Sequence, residues 1–184
     1  HFDHTLNALI LLAYVALRQG DAVGLATFGH RQPRVLPAGK SLNTVQAMMN
    51  TVFDLEPSLQ VPDYLAAVEN LTRHLRKRAL VVLVSNLRDE DDETLLPAVK
   101  NLRRRHAVTV ASLREPVLDE LLAAPVRDFD AALTRAAGLD YLYARRRQLA
   151  LLRHDGVQIL DVAPRDLPVA LINHYWSRKR AGAL

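Results

Sequence analysis

The chain has 184 residues, no cysteine and a formal net charge of +4. That length suits one domain able to bury well over half of its unfolded surface. The lack of cysteine excludes a disulfide framework, a thiolate nucleophile and a cysteine-ligated zinc site, and fits a reducing compartment. The positive balance raises nucleic acid as a partner. However, the basic residues cluster within 73–78, 103–105, 145–147 and 178–180, several of them at expected helix ends, where cations complement the helix dipole. Aromatic residues make up only 5% of the chain, and no aromatic–basic interleaving resembles an RNA-binding strand. We expect no nucleic-acid partner.

In chain order, Leu6, Leu9, Ile10, Ala13 and Leu17 recur at helical spacing, with Gly20 as the stop. The longest apolar run, residues 8–17, is about half of what a membrane-spanning helix needs. It lacks the basic flank and cleavage site of a signal peptide. We expect a soluble piece. Residues 22–28 read as a buried strand, and 34–36, between two prolines, as a short edge strand. Ser41 can cap a helix through 53, and a second helix is expected over 63–76.

Residues 79–84 form the strongest strand, with the unbroken apolar run LVVLV that a strand covered on both faces requires. The acidic stretch Asp89, Glu90, Asp91, Asp92 and Glu93 opens a helix ending near 105. Residues 108–113 are another strand. Helices follow over 116–123 and 129–153, the longer with Gly138 as a candidate break. The last strand is 157–160 and the last helix 167–180. Strands alternating with helices give an α/β fold: a doubly wound, mainly parallel sheet with helices on both faces. Residues 79–84 are expected near the sheet's centre. Leu9, Val23, Leu25, Val82, Leu83, Val110 and Ile159 are expected to be buried.

The chain starts at His1 on a helix, whereas doubly wound domains usually begin on a central strand. We expect a single domain truncated at its N-terminus and lacking its first strand. In this architecture that strand would lie between 22–28 and 79–84. The gap should be closed by direct pairing of those two, by a segment of a second chain, or by a peptide from outside this sequence.

Catalytic motifs fail on inspection. Gly39-Lys40-Ser41 resembles the end of a phosphate-binding loop, but Arg34 stands where the motif needs glycine. The seven histidines form no i, i+4 pair and no HExxH. Ser85 lies at a strand end without a GxSxG context, and no base for it is identifiable.

The segments FDHTLNALILLAYVALRQGDAVGLATFGH, VPDYLAAVENL, LVVLVSNL and INHYWSRKRAGAL resemble one bacterial family. It is the von Willebrand factor A-like family known as domain of unknown function fifty-eight, and the resemblance covers nearly the whole chain. It implies a von Willebrand factor A-like fold and a role alongside a MoxR-type AAA+ ATPase in chaperone or assembly functions. It also implies a cytoplasmic location, in the full-length protein at the cytoplasmic face of the inner membrane through an upstream segment.

Domains of this fold often hold a divalent ion at the top of the sheet. The first ion motif would precede His1. The threonine position aligns with Pro62, followed by Asp63, and the aspartate position with Asn86. Pro62 has no side-chain oxygen and Asn86 no charge, so no functional metal is expected. Asp63, Asn86 and Asp89 are the only weak candidates, for magnesium at most. No other cofactor is expected.

The reading from sequence is a non-catalytic protein-interaction domain, with Asp63, Tyr64, Ser85, Asn86, Asp89 and Glu90 as partner-binding residues and homo-oligomerisation left open. The alternative is a metal-dependent ligand-binding domain whose main ligands lie upstream of residue 1. A hydrolase built on Ser85 is a third.

Overall fold

A computed structural model of the chain describes residues 2–30, 32–56, 58, 61–87 and 92–182. Its elements are α1 (Phe2–Arg18), β1 (Val23–Ala26), β2 (Val35–Gly39), α2 (Asn43–Val52), α3 (Tyr64–His74), β3 (Leu80–Ser85), α4 (Asp92–Arg103), β4 (Ala107–Leu113), α5 (Pro116–Ala123), α6 (Phe129–His154), β5 (Gln158–Val162), a 3-10 turn (Pro164–Asp166) and α7 (Leu167–Arg180).

Strand side chains alternate between two faces, and here both faces are apolar. On one face, Val81 and Leu83 of β3, Val108 and Val110 of β4 and Ile159 of β5 share a core with three helices. Those helices contribute Val68 from α3, Val99 and Leu102 from α4, and Leu149 and Leu152 from α6. On the other face, Val82 and Val84, Ala111 and Leu113, and Leu160 and Val162 meet Ala8, Leu9 and Leu12 of α1 and Leu167 and Leu171 of α7. The result is an α/β domain with helices on both faces of a parallel sheet, as its alternating elements led us to expect. Among the described residues no helix is long and apolar enough to cross a membrane.

The sheet departs from expectation in one respect. Its strands do not form one sheet: β1 pairs antiparallel with β2, and β3, β4 and β5 form a separate parallel sheet in that order. Direct pairing of the strand at 22–28 with that at 79–84 does not occur. The centre is therefore β4, whose seven residues are all buried, while β3 is an edge whose six residues are all half-buried. A parallel strand turns alternate backbone groups to each side. Only one side of β3 has a partner strand among the described residues, so its side chains keep an open flank. The same geometry corrects the burial list: Val110 is fully buried, whereas Leu9, Val23, Leu25, Val82, Leu83 and Ile159 are half-buried.

Two smaller features concern local chemistry. Gly24 in β1 has no room for a side chain, because a Cβ would lie 2.7 Å from the Leu36 carbonyl oxygen of β2. Ser41 is not the cap expected for α2: the cap position is Leu42, already in helical conformation and with no side-chain capping bond, and Ser41 accepts only the Asn43 amide at 3.2 Å in the turn before the helix.

The first and last helices are tied together by a polar cluster. Lys179 of α7 donates to Asp21 Oδ2 at 2.7 Å and to the Gln19 carbonyl at 3.0 Å, and the Tyr175 hydroxyl donates to the same Asp21 oxygen. Burial alone would raise the Asp21 carboxyl, but the hydrogen bonds from Lys179 and Tyr175 and the lysine charge together hold it below its ordinary value. A carboxylate depressed in the folded state stabilises the fold above its unfolded pKa, and that contribution is lost as pH falls through the depressed value. Asp21→Asn should therefore lower the urea midpoint at neutral pH, and the deficit should shrink towards zero as pH falls below the ordinary value of 3.8. A deficit independent of pH would mean that the carboxylate charge is not what matters.

Candidate functional site

The carboxyl-terminal ends of β3, β4 and β5 collect the polar residues of interest. Asp63 precedes α3 in an extended conformation, and its carboxylate accepts the Ala66 amide at 3.0 Å, so it is the cap of that helix. This satisfies one of the free amides of the first turn. Tyr64 follows and is only 1% exposed. Its ring packs against Phe28 with centroids 5.4 Å apart, its amide donates to Thr94 Oγ1 at 3.4 Å, and its hydroxyl lies 2.8 Å from Ser85 Oγ.

Ser85 ends β3, and its hydroxyl is paired with the hydroxyl of Tyr64. Two histidines lie elsewhere: His174 Nε2 is 2.7 Å from Thr109 Oγ1 in mid-β4, and His106 stands just before β4, at the other end of the sheet. Burial, with the charges of Arg178 and Arg105 respectively, pushes both below the usual histidine value.

Asn86 Nδ2 donates to Glu115 Oε1 at 3.2 Å, while its Oδ1 is buried with no hydrogen-bond partner among the described residues. The structure thus brings Tyr64 and Ser85 into contact and joins Asn86 to Glu115. Asp63 points into its own helix. Asp89 and Glu90 lie outside the described residues. Among the described residues no three His, Asp or Glu side chains converge in a way that could hold a metal ion.

The most elaborate polar node here escaped sequence reasoning. Arg145 of α6 is 6% exposed. Its Nη2 donates to Ser112 Oγ at 2.7 Å, to Asp161 Oδ1 at 2.8 Å and to the Leu113 carbonyl at 3.4 Å, so it ties α6 to the ends of β4 and β5. The sequence reading placed it with Arg146 and Arg147 in a solvated cluster, and that is corrected. The telling signal was helical phase: Gly138, Leu142, Arg145, Leu149 and Leu152 follow four-three spacing, which puts Arg145 on the core face. Gly138 does not break α6. It lets α5 approach, since a Cβ there would lie 3.2 Å from Leu121 Cδ2.

Beside this node lies a shallow pocket of about 40 Å³, lined by Arg114, Glu115, Leu118, Asp119, Tyr141, Leu142 and Arg145. It has room for a water or one side-chain head group, far below the few hundred cubic ångströms of a typical small-molecule site. Val61 and Val117 flank this end of the sheet in sequence and are 60% and 57% exposed.

An α/β domain whose sheet-end polar groups are largely engaged with one another is the class of protein these features define. The model of the family described as Protein of unknown function DUF58 matches residues 3–149, and the chain belongs to that family. The match ends before β5 and α7, so the closing INHYWSRKRAGAL segment lies outside it. No curated protein matches the chain.

Proposed function

We propose that this chain is a non-catalytic protein-interaction domain of von Willebrand factor A-like architecture, working with a MoxR-type AAA+ ATPase in chaperone or assembly functions at the cytoplasmic face of a membrane. One observation carries this reading. At the carboxyl-terminal end of the sheet, Tyr64 engages Ser85 and Glu115 engages Asn86, while Val61 and Val117, three and two residues away in sequence from Tyr64 and Glu115, are exposed apolar side chains. Mutually engaged polar groups offer little to a reacting substrate, whereas exposed apolar side chains with charged neighbours suit a protein surface. Arg114, Glu115 and Asp119 supply those charges around the pocket, and Asp89 and Glu90 add acidic charge to the same loop region in sequence.

The test is capture of the ATPase by the full-length protein, with and without nucleotide. Val61→Asp with Val117→Asp, and separately Asp89→Lys with Glu90→Lys, should each weaken capture by at least about tenfold with little change in stability. Unchanged capture in both would remove this end of the domain from the interface.

The alternative, a metal-dependent ligand-binding domain, draws on the buried Asn86 Oδ1, which has no hydrogen-bond partner among the described residues. It is a carbonyl oxygen of the kind hard cations accept. Titration of the same protein with magnesium, manganese and calcium separates the two. Saturable binding tighter than roughly ten micromolar would favour the metal-dependent reading.

A further inference from the structure

Helix α6 has 26 residues and so spans about 39 Å. Its core face carries Gly138, Arg145, Leu149 and Leu152, all buried. A second set of residues, Phe129, Leu133, Ala136, Asp140, Tyr143 and Arg147, follows four-three-four-three-four spacing on the opposite face. This is the spacing of a coiled-coil seam. All six are exposed, with Phe129 at 79%, Leu133 at 60% and Tyr143 at 65%. A helix on a domain surface ordinarily turns charged residues outwards; this one turns out two aromatic rings and a leucine. Helix α5 packs at Gly138, on the core face, and leaves the six residues of this face exposed.

We propose that the outward face of α6 is a self-association surface, on which a second copy of this chain packs its own α6 antiparallel about a two-fold axis near residue 138. The charge layout selects both the occupant and the direction. The helix starts with Asp128 and Asp130 and has Arg146 and Arg147 towards its other end. Antiparallel packing sets Asp128 and Asp130 of each copy against Arg146 and Arg147 of the other. Parallel packing would set Arg147 on Arg147 and Asp140 on Asp140, placing like charges in register along the seam.

In the antiparallel register, Phe129 faces Arg147 of the second copy, a cation–π arrangement. Leu133 faces Tyr143, and the small Ala136 faces Asp140, whose carboxylate can reach solvent at the seam's edge. Each contact occurs twice, as a two-fold interface demands. One helix thus carries both halves of a complementary surface, which a dissimilar partner would not require.

Sedimentation equilibrium on the 184-residue chain tests this. A reversible dimer is expected at about 50 µM, and Leu133→Glu should raise its dissociation constant at least about tenfold with an unchanged circular dichroism spectrum. Charge variants test the direction. Arg146→Glu/Arg147→Glu makes both ends of the face acidic. Asp128→Ser/Asp130→Arg makes both ends basic and keeps a capping hydroxyl for the Ala131 amide that Asp128 now binds. Each double variant alone should dimerise more weakly than wild type, and an equimolar mixture should form the heterodimer. A wild-type chain that stays monomeric at about 0.5 mM would overturn the proposal. So would a dimer insensitive to Leu133→Glu, double variants that dimerise as well alone as mixed, or capture of a different protein on this face by a monomeric chain.

Discussion

Arg145→Ala is expected to lower the unfolding free energy by about 3 kcal/mol, near the lower end of the effect of breaking a buried ion pair. The guanidinium is almost wholly enclosed, while Asp161 retains 29% exposure of its side chain, so solvent partly screens the carboxylate left behind. The loss also frees the Ser112 hydroxyl and the Leu113 carbonyl at the end of the central strand. In a chain of this size the melting temperature should fall by about 6–12 °C. Arg145→Lys should recover part of the loss, because all three bonds leave one nitrogen, Nη2, and an ammonium can donate to the same acceptors if its shorter side chain reaches them. Asp161→Asn should also destabilise, since it strands a buried cation. Calorimetric melting of the three variants decides the matter. A loss under about 1 kcal/mol for Arg145→Ala would show that water replaces the guanidinium without penalty.

Leu152→Ala should cost about 2–5 kcal/mol, and the adjacent Leu151→Ala about 1 kcal/mol or less. The two leucines are neighbours in α6, but one helical step separates their environments: Leu152 is 1% exposed and Leu151 is 41% exposed. Truncating Leu152 opens a cavity among Leu95, Leu102, Val110 and Leu149, which belong to the larger core cluster. Truncating the exposed Leu151 widens the rim of a shallow pocket of about 100 Å³ that it shares with Leu95, Leu96, Gln148 and Leu152. Urea unfolding at equal m-values measures both. Equal losses would mean that α6 is rotated relative to the sheet.

Much of the architecture was legible in the sequence because it depends on local pattern. Unbroken apolar runs produced β3 and β4, and four-three spacing produced the long helix. Asp63 caps α3 from a position just before an apolar helical stretch, a pattern that is local in sequence. The rest depends on neighbours distant in sequence. LVVLV reads as a covered central strand, but whether a strand is central depends on what pairs with it, and the outer side of β3 has no partner strand among the described residues. Tyr64 meets Ser85 across 21 residues and Arg145 meets Ser112 across 33; no local periodicity encodes such pairings. The arginine was also disguised by its company, since three consecutive arginines suggest solvent while the helical phase turns one of them inward.

The joining of α1 to α7 constrains how the protein is made. The Lys179 ammonium that grips the Gln19 carbonyl lies 160 residues further along the chain. At about 5–20 residues per second, a ribosome needs roughly 8–32 s to bridge that interval. Throughout it, the apolar side of α1 that will meet Leu167 and Leu171 has no α7 to cover it. Over that interval the nascent chain carries α1 without its α7 cover, a target for chaperone holdases. Slowing elongation should lengthen this exposure and raise the aggregated fraction without altering the finished fold.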